Sequence, residues 1–248
     1  MKAEVKNYKF QFVSDIHLGS DSEPNFLLFK KYLKSVITNK VTHLFLLGDI
    51  FDLWVANQKY FINQYAQIID EIKKIKKAGI EIYYFEGNHD LHLKKFWQGE
   101  LGCKVYDAPE RLSLHGVNLM LAHGDQIDLD DIGYIRLRKF FRSWPMKIVA
   151  HILPGFIVRK IGEAADKKSH GHYLRENPNK ERIINLIRGY AEKEMAIKPY
   201  DYCLTGHFHV RDEHTIGEAK AINLGTWLDK PGYYQITATE NRFYDLIT

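Results

Sequence analysis

Short apolar runs alternate with longer segments of helical spacing in the first 90 residues of the chain. Three of the apolar runs contain few polar residues and predict buried strands: Phe10–Val13, His43–Leu47 and Ile80–Phe85. Between them, Phe26–Ile37 and Tyr60–Lys77 carry apolar residues three and four positions apart, which predicts two helices. Strands and helices in this alternation are typical of βαβ units built around a mainly parallel sheet.

The second half of the chain has a different pattern. The elements predicted there are a hairpin of Arg111–His115 and Val117–Ala122, a helix over Glu181–Met195 and a strand over Asp201–Leu204. After Val210, short strand-like runs alternate with turns, so a second, mixed or antiparallel sheet is expected. The long segment Gln126–Lys180 has little strand character.

Length and composition exclude several classes of protein. The 248 residues suit one large domain, or one domain with an insertion. Two cysteines exclude a disulfide scaffold and a four-cysteine zinc site. The first residues show no secretory signal, and no apolar run reaches the ~18 residues of a spanning helix. A cytoplasmic protein is expected, and its net charge of +4 does not by itself indicate nucleic-acid binding.

Side chains that bind metals follow the predicted strands. In chain order they are Asp15, His17, Asp49, Asn88, His89, His123, His207 and His209. A single Asp after a strand is usually a turn or capping residue, and a single His is usually a surface or core residue. Because ligands gather at the carboxyl ends of strands in α/β sheets, five strand ends that all deliver such groups favour a metal site.

The chemistry of this set indicates which metals it suits. Carboxylate, amide and imidazole ligands without thiolate fit Mn²⁺, Fe²⁺ or Zn²⁺. Seven of these eight side chains as ligands are too many for one ion with open positions, but they suit two ions that share a carboxylate. Two such ions about 3.5–4 Å apart can activate a bridging water and clamp an in-line phosphoryl displacement. Glycines before Asp49, Asn88 and His207 are expected to permit sharp turns beside the site.

Five motifs in this order resemble those of the calcineurin-like metallophosphoesterases. They are Asp15-Ile16-His17, Gly48-Asp49-Ile50-Phe51-Asp52, Gly87-Asn88-His89-Asp90, His123-Gly124-Asp125 and Gly206-His207-Phe208-His209. The resemblance implies an α/β fold, a sandwich of two mixed β-sheets flanked by helices. The segment with little strand character is interpreted as a helical cap insertion (126–180) in a core formed by residues 1–125 and 181–248.

The same resemblance implies a role for each motif residue. Asp15, His17 and His209 would hold one metal, and Asn88, His123 and His207 the other. Asp49 would bridge the two ions. The catalytic residues would be His89, beside the leaving group as a general acid or charge stabiliser, and Asp90, which orients it. Asp52 would hold the metal ligands in place without binding the metal itself. The alternative for both Asp52 and Asp90 is that they only cap loops.

The cap segment Gln126–Lys180 concentrates the basic charge of the chain. It has eleven Lys and Arg residues against six Asp and Glu, a net charge of +5 that exceeds the +4 of the whole chain. Its apolar stretch from Ile132 to Val158 includes Trp144 and several Phe residues, and Pro145, Pro154 and Gly155 break it into short helices. Basic residues among large apolar ones suit a lipid-facing surface. The alternative is a helical subdomain that buries its own core.

The cap also resembles the UDP-2,3-diacylglucosamine hydrolase family. The matching stretches are Asp130-Asp131-Ile132-Gly133-Tyr134, Arg138, Trp144-Pro145, Leu153-Pro154 and Lys167-Lys168-Ser169. That family uses Mn²⁺ to cleave the pyrophosphate of a diacylated UDP-sugar in lipid A biosynthesis, releasing UMP. The resemblance implies that this chain binds an acylated UDP-sugar and two Mn²⁺ ions, with Fe²⁺ or Zn²⁺ as alternatives. It further implies a cytoplasmic enzyme peripherally associated with the inner membrane through its cap.

Substrate contacts follow from the same resemblance. The residues expected to bind substrate are Asn88, Asp131, Tyr134, Arg159, Lys167 and Lys168. Many members of that family carry Arg where this chain has His89, which is the general phosphoesterase pattern. The alternative function is therefore hydrolysis of another nucleotide pyrophosphate, a phosphodiester or a nucleic acid. Against nucleic acid, the aromatic residues of the cap are mixed with aliphatic ones and are not spaced as stacking platforms.

A third hypothesis is a non-enzymatic membrane- or protein-binding module that kept only the fold. The complete ligand set disfavours it, and no obligate protein partner is evident from the sequence.

Overall fold

The computed structural model describes residues 7–162 and 180–246, and its elements follow the predicted order closely. The helices are α1 (Pro24–Thr38), α2 (Lys59–Gln64), α3 (Ala66–Lys77), α4 (Ile132–Phe141), α5 (Trp144–Ile152), α6 (155–162) and α7 (Lys180–Ile197). The strands of the first half are β1 (Lys9–Val13), β2 (His43–Leu46), β3 (Trp54–Val55), β4 (Glu81–Phe85), β5 (Asp90–Leu91) and β6 (Lys104–Tyr106). The remaining strands are β7 (Glu110–Leu114), β8 (Val117–Leu121), β9 (Tyr202–Thr205), β10 (Arg211–Ile216), β11 (Ala219–Leu224), β12 (Gly232–Thr237) and β13 (Asn241–Asp245).

The first sheet has six strands in the order β13-β12-β1-β2-β4-β6. Strands β1, β2, β4 and β6 are parallel, as the βαβ pattern predicts, and β12 and β13 add antiparallel strands at one edge. The register places Phe12 beside Phe45, so that the same face of neighbouring strands is apolar. The sheet is therefore mixed, with its antiparallel strands supplied by the end of the chain.

The second sheet has five strands in the order β10-β11-β9-β8-β7. Strands β8, β9 and β11 are parallel, and the hairpins β7–β8 and β10–β11 provide its antiparallel pairs. Its inner face packs on the first sheet through a buried cluster that includes Phe12, Phe45, Leu121 and Leu204. The predicted sandwich of two mixed sheets is confirmed.

Helices cover the outer faces of both sheets. The apolar sides of α1 and α3 pack on the first sheet, where Phe29 and Ile72 belong to the largest buried cluster. On the second sheet, α7 contributes Ile187 and Ala191 to two smaller clusters. This layered arrangement leaves the carboxyl ends of the parallel strands open at one edge of the sandwich.

One predicted helix differs in the structure. The segment Tyr60–Lys77 is broken at Tyr65, which ends α2 with φ −106° and precedes α3. Tyr65 is fully buried, and its hydroxyl donates a hydrogen bond of 2.8 Å to the carbonyl of Leu18. This contact between elements, which periodicity does not encode, accounts for the bend.

Candidate active site

The loops that follow the parallel strands converge and are bonded to one another. The amide of Ile16 donates to the carbonyl of Asp49 at 2.9 Å, which joins the loops after β1 and β2. The amide of Gly206 donates to the carbonyl of His123 at 2.7 Å, which joins the loops after β9 and β8. Strand ends distant in sequence thus form one surface.

The side chains on these loops make a compact cluster of metal-binding atoms. Three groups have ligand atoms that all lie within 4.8 Å of one another: Asp15, His17 and His209; His17, Asp49 and His89; and Asp49, His123 and His207. Asp49 belongs to two of these groups, and it is almost completely buried. The structure therefore brings together all the carboxylates and imidazoles that the sequence predicts as ligands, with Asp49 between the two sets.

The amide side chain of Asn88 completes the second set. Its Oδ1 lies 3.2 Å from Nε2 of His123 and 3.0 Å from Nδ1 of His207. Oxygen and nitrogen donors of three different loops therefore face the same point. This arrangement fits a hard or borderline divalent cation, and no thiol approaches among these groups.

Hydrogen bonds to the protein fix the orientation of the ligands. Nδ1 of His123 is 2.8 Å from the carbonyl of Leu47, so this nitrogen donates the hydrogen bond and Nε2 is the nitrogen that would bind a metal, on loss of its proton. The amide of His207 donates to both carboxylate oxygens of Asp15, at 2.9 and 3.0 Å. The amide of His89 donates to Oδ1 of Asp49 at 2.9 Å. The cluster is thus held in place by its own loops.

Five residues of the cluster have left-handed backbone conformations. The φ angles are 50° for Asp15, 51° for His17, 52° for Asp49, 71° for His207 and 56° for His209. Non-glycine residues rarely adopt this region, and each such residue costs on the order of 1 kcal/mol or more. The strain is concentrated where the side chains must point at a shared centre.

Two of the neighbouring glycines are required for space. A Cβ on Gly87 would lie 2.1 Å from Oδ1 of Asp49, and one on Gly206 would lie 2.3 Å from Oδ2 of Asp15. Gly48, with φ +84°, has the left-handed turn that the sequence suggests, and its Cβ would also meet His123. The expectation of sharp turns thus holds at Gly48, whereas Gly87 and Gly206 allow a ligand to approach the backbone.

Burial and charge set the protonation of the cluster. Burial lowers the pKa of His17 and of His207 to about 4, so both rings are neutral at pH 7. Burial alone would lower the pKa of His123, but the charge of Asp49 raises it to about 10. Burial opposes ionisation of Asp49, yet the nearby His123 and His89 hold its pKa well below the ordinary value. The cluster therefore presents ionised carboxylates surrounded by imidazoles.

The hydrogen bonds of Asp90 show a role in holding the loops. Its buried carboxylate accepts hydrogen bonds from the amides of Gly87 and Ile50 and from the hydroxyl of Tyr84, and orientation of His89 by Asp90 stays a prediction. Asp90 lies in β5, which directs the side chain into the core and makes it a brace for the loops after β2 and β4. Nδ1 of His89 lies 2.8 Å from the backbone carbonyl of Asp52.

The residues predicted to bind substrate are distributed around the cluster. The ring of Tyr134 lies 5.7 Å from that of His207. The carboxylate of Asp131 caps α4 by accepting from the amide of Tyr134, and Arg159 donates to Asp52 at 3.3 Å. Lys167 and Lys168 lie outside the described residues. Contact of any of these residues with substrate stays a prediction.

An apolar cavity of about 220 Å³ opens beside the cluster. Asn88 and His89 line it at one side, next to the metal-binding atoms. Its apolar walls come from both the core and the cap and comprise Leu53, Val55, Leu91, Leu137, Met146, Val149, Ala150, Leu153, Val158 and Ile161. A second groove of about 990 Å³, lined mostly by polar residues, includes His17, Asp52 and Arg159. The cluster thus contributes residues to both an apolar space and a polar one.

The described helices of the cap expose large apolar side chains. No residue of α4 is buried, and Ala150 is the one buried residue of α5. Trp144 is 73% exposed and Ile152 is 74% exposed. Within the described residues, α4 and α5 thus form no buried core of their own. Within residues 7–162 and 180–246, no helix is long and apolar enough to cross a membrane.

Comparisons with known proteins agree with this geometry. A sequence model of the family described as Calcineurin-like phosphoesterase matches residues 8–211. UDP-2,3-diacylglucosamine hydrolase of Haemophilus influenzae (strain PittGG) is 24% identical over 217 residues, covering 87% of this chain and 89% of its own. The protein of the same name from Aliivibrio fischeri (strain MJ11) is 28% identical over 231 residues, with coverage of 87% and 89%.

A solved structure described as a novel archaeal phosphodiesterase shares the fold. It has a TM-score of 0.52 and 14% sequence identity, and the alignment covers 96% of this chain and 99% of that one.

Proposed function

Because this chain belongs to the calcineurin-like phosphoesterase family, we propose that it cleaves the pyrophosphate of an acylated UDP-sugar. The products are UMP and a diacylated sugar 1-phosphate, and the specific substrate is UDP-2,3-diacylglucosamine. The observation that carries the proposal is the apolar cavity that shares Asn88 and His89 with the metal-binding cluster. The relatives named UDP-2,3-diacylglucosamine hydrolase support the choice of substrate.

The donor set fits two divalent cations. Asp15, His17 and His209 hold one ion in this proposal, and the other is held by Asn88, His123 and His207. Asp49 is shared, in keeping with its place in two of the groups. Two bound cations supply Lewis-acid activation of the attacking water and neutralise charge on the phosphates. Mn²⁺ is the ion we propose, and Fe²⁺ and Zn²⁺ suit the same donors.

The protein groups around the phosphates have separate tasks. Since Nδ1 of His89 is directed at the carbonyl of Asp52, its Nε2 is the nitrogen that faces the cluster. As an imidazolium, the ring can there donate a hydrogen bond from Nε2 to a phosphate oxygen and stabilise charge that develops on the leaving group. Asp90 keeps the loops in place, as its hydrogen bonds to Gly87 and Ile50 indicate.

The two spaces beside the cluster suit the two ends of the substrate. The acyl chains lie in the apolar cavity between the core (1–125 and 181–248) and the cap (126–180). The nucleotide and sugar lie along the polar groove, where Arg159 provides positive charge. Tyr134, which borders His207 and lines the apolar cavity, contacts the sugar from the other space in this proposal. Lys167 and Lys168 complete the substrate contacts in this proposal.

The exposed apolar side chains of α4 and α5 give the cap a surface for the membrane. Trp144 and Ile152 insert among the lipid acyl chains, and basic residues of the cap meet anionic headgroups. We propose that the protein associates peripherally with the inner membrane from the cytoplasmic side. Such a position places the cavity beside the lipid phase from which an acylated substrate enters.

The direct test is release of UMP by the purified protein. With Mn²⁺ and UDP-2,3-diacylglucosamine in detergent, UMP should appear, and it should not appear with Asp49→Asn. Hydrolysis of simple phosphodiesters without release of UMP would exclude the proposed substrate and leave the two-metal chemistry intact.

His89 favours a second candidate function, hydrolysis of phosphodiesters. An imidazolium can give its Nε2 proton to an alkoxide leaving group and become a neutral imidazole, whereas the guanidinium common at this position in the resembling family stays charged. When a pyrophosphate is cleaved, the leaving group is a phosphate monoester, which needs no such proton. Detergent separates the two functions, because the activity on an acylated substrate depends on it and the activity on a soluble diester does not.

A further inference from the structure

We propose that Arg142 is a positioning residue that fixes the loop carrying Asn88 and thereby sets the affinity of one of the two metal sites. This inference rests on the two-metal site proposed above. Arg142 caps the C-terminus of α4, far in sequence from the motifs, and its side chain is only 13% exposed.

The guanidinium of Arg142 binds the backbone directly before Asn88. Its Nη2 donates to the carbonyls of Glu86 and Gly87, at 3.1 and 2.8 Å. Its Nη1 donates to the carbonyl of Asp107 at 3.1 Å and to the Glu86 carboxylate at 3.3 Å. Within residues 7–162 and 180–246, both of these loop carbonyls accept a hydrogen bond from Arg142. A planar guanidinium can reach several acceptors at once, which an ammonium group cannot.

The opposite side of the same loop is held by carboxylates. The amide of Gly87 donates to Oδ1 of Asp90 at 2.6 Å, and the amide of His89 donates to Oδ1 of Asp49 at 2.9 Å. The backbone N–H groups on both sides of Asn88 are therefore bound to carboxylates of the core. The two carbonyls before Asn88 are bound to an arginine of the cap. Loss of either side would release the Asn88 side chain from its place 3.0 Å from His207.

A second arginine of α4 acts on the neighbouring loop. Arg138, four residues before Arg142, donates through Nε to Asp125 at 2.6 Å. Asp125 is almost fully buried and follows His123 by two residues. One cap helix thus binds the two loops that present Asn88 and His123. These ligands belong to the same metal site, so α4 influences that site more than the site of Asp15, His17 and His209.

Arg142 also borders the apolar cavity, which suggests a competing role in binding a substrate phosphate. The two roles predict different measurements. A positioning residue changes the affinity for metal in the absence of substrate and lowers kcat. A phosphate-binding residue raises KM and leaves the metal affinity unchanged.

The experiment is calorimetric titration of the metal-free, full-length protein with Mn²⁺, without substrate. The variants are Arg142→Gln, Arg142→Lys and the control Arg136→Gln, which removes an exposed arginine from the same helix. In Arg142→Gln, one ion should bind as before and the other roughly 10- to 100-fold more weakly. Arg142→Lys should recover part of this affinity, and Arg136→Gln should match the unmodified protein. With a soluble phosphodiester, kcat of Arg142→Gln should fall at unchanged KM.

Several results would overturn the role of Arg142. Two ions bound with unchanged affinity in Arg142→Gln, or a raised KM with unchanged metal binding, would do so. Equal weakening of both ions in both Arg142 variants, with a large fall in Tm, would show a merely structural role. Absence of any bound ion in the unmodified protein would instead remove the proposed two-metal site, so the two failures are distinguishable.

Discussion

The backbone of Gly87 approaches Asp49 so closely that a Cβ on Gly87 would lie 2.1 Å from Oδ1 of that carboxylate. Asp49 is the side chain shared by the proposed metal sites, and it is itself almost completely buried. The absence of a side chain at residue 87 is therefore a condition for the shape of the site.

Replacing Gly87 by Ala is expected to weaken metal binding. The added methyl group must displace the Asp49 carboxylate, and a displaced ligand typically costs about 10- to 100-fold in metal affinity or activity. The measurement is bound Mn²⁺ per chain after dialysis, together with kcat. The matched control is Gly189→Ala in α7, where a Cβ has open space and should stabilise the helix by about 1 kcal/mol. Unchanged metal content in Gly87→Ala would contradict this view of the site.

Asp49→Asn tests the shared charge while keeping the size of the side chain. An amide lacks the charge that two cations require, so kcat should fall at least roughly 100-fold, corresponding to several kcal/mol of lost stabilisation. Metal analysis should show fewer than two ions per chain. Asp212→Asn, which removes an ion pair with Arg188 outside the cluster, should leave both quantities unchanged. Full activity of Asp49→Asn would exclude a bridging role.

Filling the apolar cavity should discriminate between substrates. Met146 lines the cavity, whereas Ile148 on the same helix is 46% exposed. We expect Met146→Trp to lower kcat/KM for the diacylated substrate more than ~10-fold, a loss of about 1.4 kcal/mol. Hydrolysis of a soluble phosphodiester should be unaffected, and Ile148→Trp should act on both substrates like the unmodified protein. Equal losses on both substrates in Met146→Trp would argue against acyl chains in this cavity.

The cap surface can be tested by binding to vesicles that contain anionic lipid. Burying an aliphatic side chain contributes about 1.5–3 kcal/mol, so Ile152→Asp should weaken partitioning roughly 10- to 100-fold. Ile197 at the end of α7 is also 74% exposed but lies outside the cap, so Ile197→Asp should bind vesicles normally. Cosedimentation measures both. Equal binding by the two variants would disprove a membrane surface centred on α5.

The pH dependence of stability should carry a contribution from His43. Burial, followed by the neighbouring His115, lowers the pKa of His43 to about 4, although Glu81 opposes the shift and Lys104 adds to it. In the unfolded chain this pKa is about 6.5, so the unfolded state binds the proton more tightly. The contribution is complete above about pH 6.5 and is lost as the pH falls towards 4.

His43→Phe should remove this dependence and keep an aromatic ring beside Phe10. Urea unfolding at pH 7.5 and pH 4.5 should show a smaller loss of unfolding free energy in the variant, by on the order of 1 kcal/mol. An identical loss in both proteins would show that His43 does not titrate in this range.

The strands that position the site could be predicted because burial leaves a local pattern. Phe10–Val13 and Ile80–Phe85 are apolar runs, and the ligands follow them at short range. The pairing of β12 with β1 joins residues more than two hundred positions apart, which no local pattern specifies. The antiparallel strands of the first sheet could therefore not be predicted from the periodicity of the sequence.

Contacts between distant residues explain the other differences. Arg142 looks like one more basic residue of the cap, but the acceptors that turn it inward come from the loop after β4. Asp90 has the expected motif position, and only its place in β5 shows that it braces backbone amides. A signal for Arg142 was present in its spacing of four from Arg138, which places both on one side of α4.

The left-handed backbone at Asp15, Asp49 and His207 has a consequence for how the protein can change over generations. Each of these residues disfavours the folded state through its backbone and is retained for its side chain. Glycine at these positions should relieve the backbone strain while abolishing the chemistry. An unstrained backbone and activity are thus opposing demands at the same few positions, and a lineage that keeps the activity must gain stability elsewhere in the sandwich.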